Sequence, residues 1–143
     1  GIDLLKGRES IALNQQTVAP FVSQDYVRAK SSVSGADLLD EMRSRGHTEA
    51  YILDDDKQFV GKISIYEVIS AVDSNIEAHI DRQPLTLYAD DSLAEAMTKV
   101  SQFVGESVPV VDTATGQLCG SLAEGALFQA VIDVQNQARS LER

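Results

Sequence analysis

Apolar positions along the chain follow two spacings that alternate, and the alternation occurs twice. Leu38, Leu39 and Met42 recur at helical spacing, and so do Leu93, Ala96, Met97, Val100 and Val104. Each stretch opens on a serine with an acid three residues later, Ser34 with Asp37 and Ser92 with Glu95, a pattern that caps a helix. A short apolar run follows, Ala50–Leu53 or Val108–Val111, then a polar turn, Asp54–Lys57 or Asp112–Gly116. A second run covers about Gln58–Ser64 or Gln117–Leu122, so each pair of runs predicts a β-hairpin. A closing helix carries Val68, Ile69 and Val72, or Leu127, Ala130, Val131 and Val134. Short extended stretches, Tyr26–Ala29 and Pro84–Leu87, come before the two units. The predicted order is strand-helix-strand-strand-helix, twice over.

The two units are copies. Displaced by 58 positions, Ser34 falls on Ser92, Leu39 on Met97, and Ile52-Leu53-Asp54 on Val110-Val111-Asp112. One extra residue in the second turn then puts Phe59 on Leu118, Gly61 on Gly120 and Ile69 on Phe128. The expected organisation is an N-terminal link over 1–16, repeat 1 over 17–72, a joining segment over 73–83, repeat 2 over 84–135 and a tail over 136–143. Two copies suggest a pseudo-twofold pair sharing one core, each covering the other's apolar face. Ile2, Leu4, Leu5, Ile11 and Leu13 lie ahead of the repeats and are expected to pack on a copy or a neighbour.

Composition narrows the function. The 143 residues carry a formal net charge of −10, which argues against a generic nucleic-acid binder. One cysteine, Cys119, excludes an intrachain disulfide and a multi-cysteine zinc site. No apolar run approaches the roughly 20 residues of a membrane span, so direct insertion of this segment is not expected. The start lacks a signal-peptide pattern and an initiator Met, which suggests a piece of something longer. No catalytic set emerges. His47 and His79 sit in no metal-binding spacing, and Cys119 lacks a repeat-matched histidine. Asp54-Asp55-Asp56 and Asp90-Asp91 lack EF-hand spacing and suit turns. No metal site and no enzyme activity are expected.

Ala50-Tyr51-Ile52-Leu53-Asp54 with Phe59-Val60-Gly61-Lys62-Ile63-Ser64, and Val108-Pro109-Val110-Val111-Asp112 with Leu118-Cys119-Gly120-Ser121-Leu122, resemble the cystathionine-beta-synthase (CBS) domain pair, or Bateman module. The resemblance implies an α/β (α+β) fold of two pseudo-twofold repeats packed as one module. It also implies a nucleotide cleft in which a Ser or Thr faces phosphate and an acid three residues later holds the ribose. Ser64 matches that pattern, and Glu67 stands where the family has Asp. The same pair reads equally as a helix cap with its capping-box partner. Lys62 is the one base of the motif, and Thr86, Ser107, Val108 and Pro109 are candidate walls from the second copy; Val108 and Pro109 read at least as well as core and turn residues. That copy has Ala123 and Ala126 at the matching positions, so at most one cleft of this type is expected. Residues 77–143 hold ten acids and four bases, which favours adenosine, AMP or no ligand over ATP.

The flanks, Gly1-Ile2-Asp3-Leu4-Leu5 and Leu127-Phe128 through Leu141, resemble those of the CBS pair in bacterial chloride channels or transporters. This implies a homodimer through the CBS pairs, an upstream transmembrane domain and a place on the cytoplasmic face of the cell membrane. Other hosts remain open: an enzyme, a magnesium transporter or a stand-alone nucleotide sensor. A ligand-free structural dimerisation module is the third reading.

Overall fold

The computed structural model describes residues 2–103 and 105–140. The first repeat holds β1 (Val27–Lys30), α2 (Gly35–Arg45), β2 (Glu49–Leu53), β3 (Phe59–Ser64) and α3 (Ile65–Ser70), preceded by α1 (Ile2–Gln15). The second holds β4 (Leu87–Tyr88), α4 (Leu93–Val100), β5 (Val108–Val111), β6 (Leu118–Leu122) and α5 (Glu124–Ser140). The twice-repeated order and the mixed α/β class are those the sequence predicts. Val104, expected on the apolar face of the second helix, and Leu141 lie outside the described residues, as do the side chains of Ile2, Leu4 and Leu5.

Local chemistry sets the element ends. Ser34 and Ser92 accept the backbone N–H of Asp37 and Glu95 at 3.1 and 3.0 Å, capping α2 and α4. Gly46, at φ +72°, ends α2 in the left-handed conformation that glycine adopts without steric cost. The first strand of the second repeat is shorter than expected and does not reach Pro84. Pro84 has no N–H, and its carbonyl takes the Thr86 hydroxyl in a local turn at 3.0 Å.

Each repeat forms its own three-stranded sheet, ordered β1-β2-β3 and β4-β5-β6, with a parallel first pair and an antiparallel second pair. The bulges fall at equivalent places, Ile52/Leu53 and Val110/Val111. The expected shared core is not what the structure holds. Val27, Leu38, Met42, Ile52 and Ile63 form one buried cluster, and Leu87, Leu93, Val110, Leu122 and Leu127 form another. One face of each sheet is already covered by that repeat's own two helices.

The repeats are tied together by exchanged lead-in segments. Val18, Phe21 and Val22 precede the first repeat yet pack on the core of the second, and the Ser23 N–H bonds Ser121 O at 2.7 Å. Ile76 and Ile80 precede the second repeat and pack on the core of the first, where Lys62 and Asp81 exchange backbone bonds of 3.0 and 2.8 Å. These crossings account for Gly61 and Gly120. A Cβ at Gly61 would stand 2.3 Å from Asp81 O, and one at Gly120 would stand 2.8 Å from Ser23 O.

Helix α1 lies along α5 and α4. Ala12 and Leu13 join the second core, and Glu9 bonds Arg139 of α5 at 2.7 Å. Ile11, expected to pack, remains 56% exposed. Helix α5 continues to Ser140, and Ala138, within the stretch expected to be a tail, is buried.

Candidate functional site

Between the start of α3 and the crossing segment 78–81 lies a hollow of about 330 Å³, lined by Glu49, Lys62, Ser64, Glu67, His79 and Asp81 among others. That volume lies at the lower end of small-molecule sites. Antiparallel pairing of β2 with β3 sets Glu49 opposite Ser64, and Lys62 and Ser64 are alternate residues of β3, so they share a face.

The polar groups of the hollow are satisfied in pairs. The Lys62 ammonium sits 2.7 Å from Glu49 Oε2, with each side chain only 12% exposed, and 5.0 Å from the centre of the Phe103 ring. Glu49 Oε1 accepts the backbone N–H groups of Glu106 and Ser107 at 2.8 and 3.3 Å. Ser64 Oγ accepts the Glu67 N–H at 3.3 Å and so caps α3. The Glu67 carboxylate turns away from a capping box and meets His79 Nδ1 at 2.7 Å. The Ser64 O–H therefore remains a donor that can face a guest, beside a carboxylate held at the far wall.

The structure brings together three of the expected site residues, Lys62, Ser64 and Glu67. Ser107 adjoins them through Glu49, and its hydroxyl bonds the Tyr51 hydroxyl. Val108 and Pro109 are buried in β5 and do not line the hollow; Val108 packs in the core of the second repeat. Thr86 lines a different hollow of about 530 Å³, with Gln58, Arg82 and Tyr88. Sequence reasoning missed Glu49, His79 and Asp81. Glu49 comes from β2 and the other two from the crossing segment, and nothing in the spacing marks them. At the pseudo-equivalent place in the second repeat, Ala123 and Ala126 supply no side-chain polar group.

Burial and its partners also tune groups around the site. Burial, opposed in part by hydrogen bonds to Ser107 and Ser121, pushes the Tyr51 hydroxyl up to about 12. Burial, with help from Asp112, also raises the Cys119 thiol, which weakens it as a nucleophile. Among the described residues no cluster of His, Cys, Asp or Glu is arranged to hold a metal ion. No described helix is long and apolar enough to cross a membrane.

A family model described as "CBS domain" matches residues 18–74 and again 76–133. No curated protein matches the chain. Several solved structures share its fold. A CBS domain pair/ACT domain protein from Thermotoga maritima is 20% identical, with a TM-score of 0.73, over 82% of this chain and 98% of that one. CBSX2 in complex with AMP, a protein of Arabidopsis thaliana, is 22% identical, with a TM-score of 0.72, over 84% and 98%. The cytosolic domain of the Mg²⁺ channel MgtE in complex with ATP is 17% identical, with a TM-score of 0.72, over 85% and 52%.

Proposed function

The chain belongs to the CBS domain family as a tandem pair, and from that premise we propose that it is a non-catalytic regulatory module whose single inter-repeat cleft takes adenosine or AMP. The observation that carries this reading is the meeting of Ser64, Glu67 and Lys62 in one hollow against the crossing segment. Glu67 would accept both ribose hydroxyls, Ser64 would donate to a phosphate oxygen, and Lys62 would supply the neighbouring charge. The similar folds bound to AMP and to ATP support the ligand class.

Electrostatics order the ligands. Lys62 is already neutralised by Glu49, and Glu67 and Asp81 add negative charge to the lining. The six-residue helix α3 adds little dipole. Each further phosphate therefore meets a less favourable field, so adenosine and AMP are preferred to ATP. Calorimetry with all three in magnesium-free buffer tests this order. Tighter binding of ATP overturns the preference. Unchanged heats and melting temperature with all three overturn the nucleotide reading and leave a structural dimerisation module. A Glu67→Ala change should weaken AMP by about 10- to 100-fold, the loss of hydrogen bonds to a charged group.

We place the module, by the resemblance of its flanks, on the cytoplasmic face of a chloride channel or transporter, as a homodimer. The exposed and pseudo-equivalent Ile69 and Phe128, with Tyr66 and Ile132 beside them, support a pairing face on α3 and α5. A magnesium-transporter host is the second reading, favoured by the likeness in fold to the MgtE cytosolic domain. The reading frame ahead of Gly1 decides between them.

A further inference from the structure

Away from the hollow, both ring nitrogens of His47 face carboxylate oxygens. Nδ1 is 2.6 Å from Glu106 Oε1, and Nε2 is 3.1 Å from Asp25 Oδ1. A neutral imidazole carries one donor and one acceptor, so it satisfies only one of these contacts, whereas the imidazolium satisfies both. The three residues come from separate parts of the chain. Asp25 precedes β1, His47 follows the glycine that ends α2, and Glu106 lies in the second repeat just before β5. The His47 side chain is 14% exposed, against 76% for Asp25. Thr48 fastens the same carboxylate, its N–H and its hydroxyl both 2.7 Å from Glu106 Oε2.

We propose that His47 is a proton-operated latch that, when doubly protonated, clasps the 105–107 loop of the second repeat to the α2–β2 turn of the first. On losing a proton the ring keeps only one partner. Asp25 is the one released, because it is exposed and also shared with Arg45 of α2 at 3.6 Å. Glu106 then keeps a hydrogen bond from the neutral ring N–H but loses the attraction of the imidazolium charge, so its hold on the ring weakens. The charges that adjoin the ring's two partners are Arg45 with Glu41, 3.6 Å apart, beside Asp25, and Glu49 with Lys62, where Glu49 accepts the Glu106 N–H. Carboxylates outnumber cations there, which favours the protonated ring. Its hydrogen bonds to Glu106 and to Asp25 raise His47 above the ordinary histidine value, against the opposing effect of burial.

The latch also reaches the cleft. The Glu106 and Ser107 N–H groups hold the carboxylate that pins Lys62, so loosening the loop loosens the cleft's cation. That consequence rests on the nucleotide reading, whereas the latch does not.

The test is an NMR pH titration of the whole chain, in which the two histidines are told apart by His47→Gln. We expect His47 to titrate above the ordinary histidine value. Through that titration the Glu106 and Ser107 amides should lose up to about fivefold in exchange protection, the worth of a partly exposed ion pair, after correction for intrinsic base catalysis. In Glu106→Gln the His47 midpoint should fall and the coupled loss of protection disappear; this variant keeps the test usable should His47→Gln not fold. A His47 midpoint at or below the ordinary value, or amides equally protected on both sides of it, overturns the latch. AMP binding that survives such a result would leave the cleft reading standing.

Discussion

Gly61→Ala probes the central packing device of the module, the crossing of each lead-in over the other repeat's sheet. A methyl group at Gly61 would stand 2.3 Å from Asp81 O, 2.9 Å from Ile80 Cγ2 and 3.1 Å from Asp81 C. The nearest of these is backbone, so no side-chain rotation relieves the clash. The crossing segment must move out, and the two backbone bonds between Lys62 and Asp81 must lengthen or break. Overpacking of this kind costs about 1–3 kcal/mol, and each lost hydrogen bond adds about 1 kcal/mol. The sum is about 3–5 kcal/mol, roughly 10–20 °C of melting temperature for a chain of this size.

Two further glycines calibrate the measurement. Gly120→Ala meets Ser23 O at 2.8 Å and Val22 Cβ and Cγ2 at 2.9 Å, a looser fit than the 2.3 Å at Gly61, so it should cost less. Gly125, in the first turn of α5, has nothing within 4 Å, and Ala there should stabilise by up to about 1 kcal/mol. Thermal melts followed by circular dichroism give the order Gly125→Ala above wild type, then Gly120→Ala, then Gly61→Ala. A Gly61→Ala protein that melts at or above wild type would refute the crossing geometry. Because the displaced segment also walls the hollow, the same variant should change nucleotide affinity, while Gly120→Ala should leave it alone.

Tyr51→Phe removes a hydroxyl from a 1%-exposed side chain bonded to Ser107, and should cost about 1–2 kcal/mol in urea unfolding. The phenolate absorbance step near 12 should vanish in that variant. Because the unfolded chain ionises this tyrosine first, wild-type stability should decline as pH rises through the ordinary tyrosine range toward 12. Ser92→Ala deletes a buried cap that also bonds Glu95 Oε1 at 3.3 Å, for about 1–2 kcal/mol in the same assay. The hydrogen bond from His47, chiefly, holds Asp25 below the ordinary carboxylate value. Burial of Glu106 works the other way but is outweighed by its bonds to His47 and Thr48, so it too is lowered. Their stabilisation is present above the unfolded carboxylate value and is lost as pH falls through the lowered folded one, so Glu106→Gln should flatten the acid limb of a pH–stability curve.

What the sequence reveals, and what it hides, follows from the range of each interaction. Ser34, Ser92, Gly46 and the hairpin turns act within a few residues, so spacing alone identifies the elements. The lead-in exchange leaves no such mark. Val18 and Ile76 stand one repeat apart and are equally apolar, and periodicity does not say which copy either one covers. The same blindness hides the reason for Gly61 and Gly120, each of which makes room for a crossing backbone. In the hollow, Ser64 and Glu67 were legible because they sit three residues apart, whereas Glu49 and His79 arrive from other elements.

The repeat offset nevertheless carries information beyond the fold. Glu49 touches Ser107, Thr48 touches Glu106, and Gln58 pairs with Gln117, each with its own equivalent in the other copy. A residue that touches its own counterpart lies on the twofold, as at an isologous interface. Apolar positions keep their character between copies, since both cores need filling. Glu49 against Ser107, Lys62 against Ser121, Ser64 against Ala123 and Glu67 against Ala126 do not. The divergence therefore falls on one cleft and on the axis beside it, where a charge in one copy meets a neutral group in the other. The polar side chains of the hollow by α3 therefore have no equivalents at the matching place in the second copy, and the His47 clasp joins the same axis through Glu106.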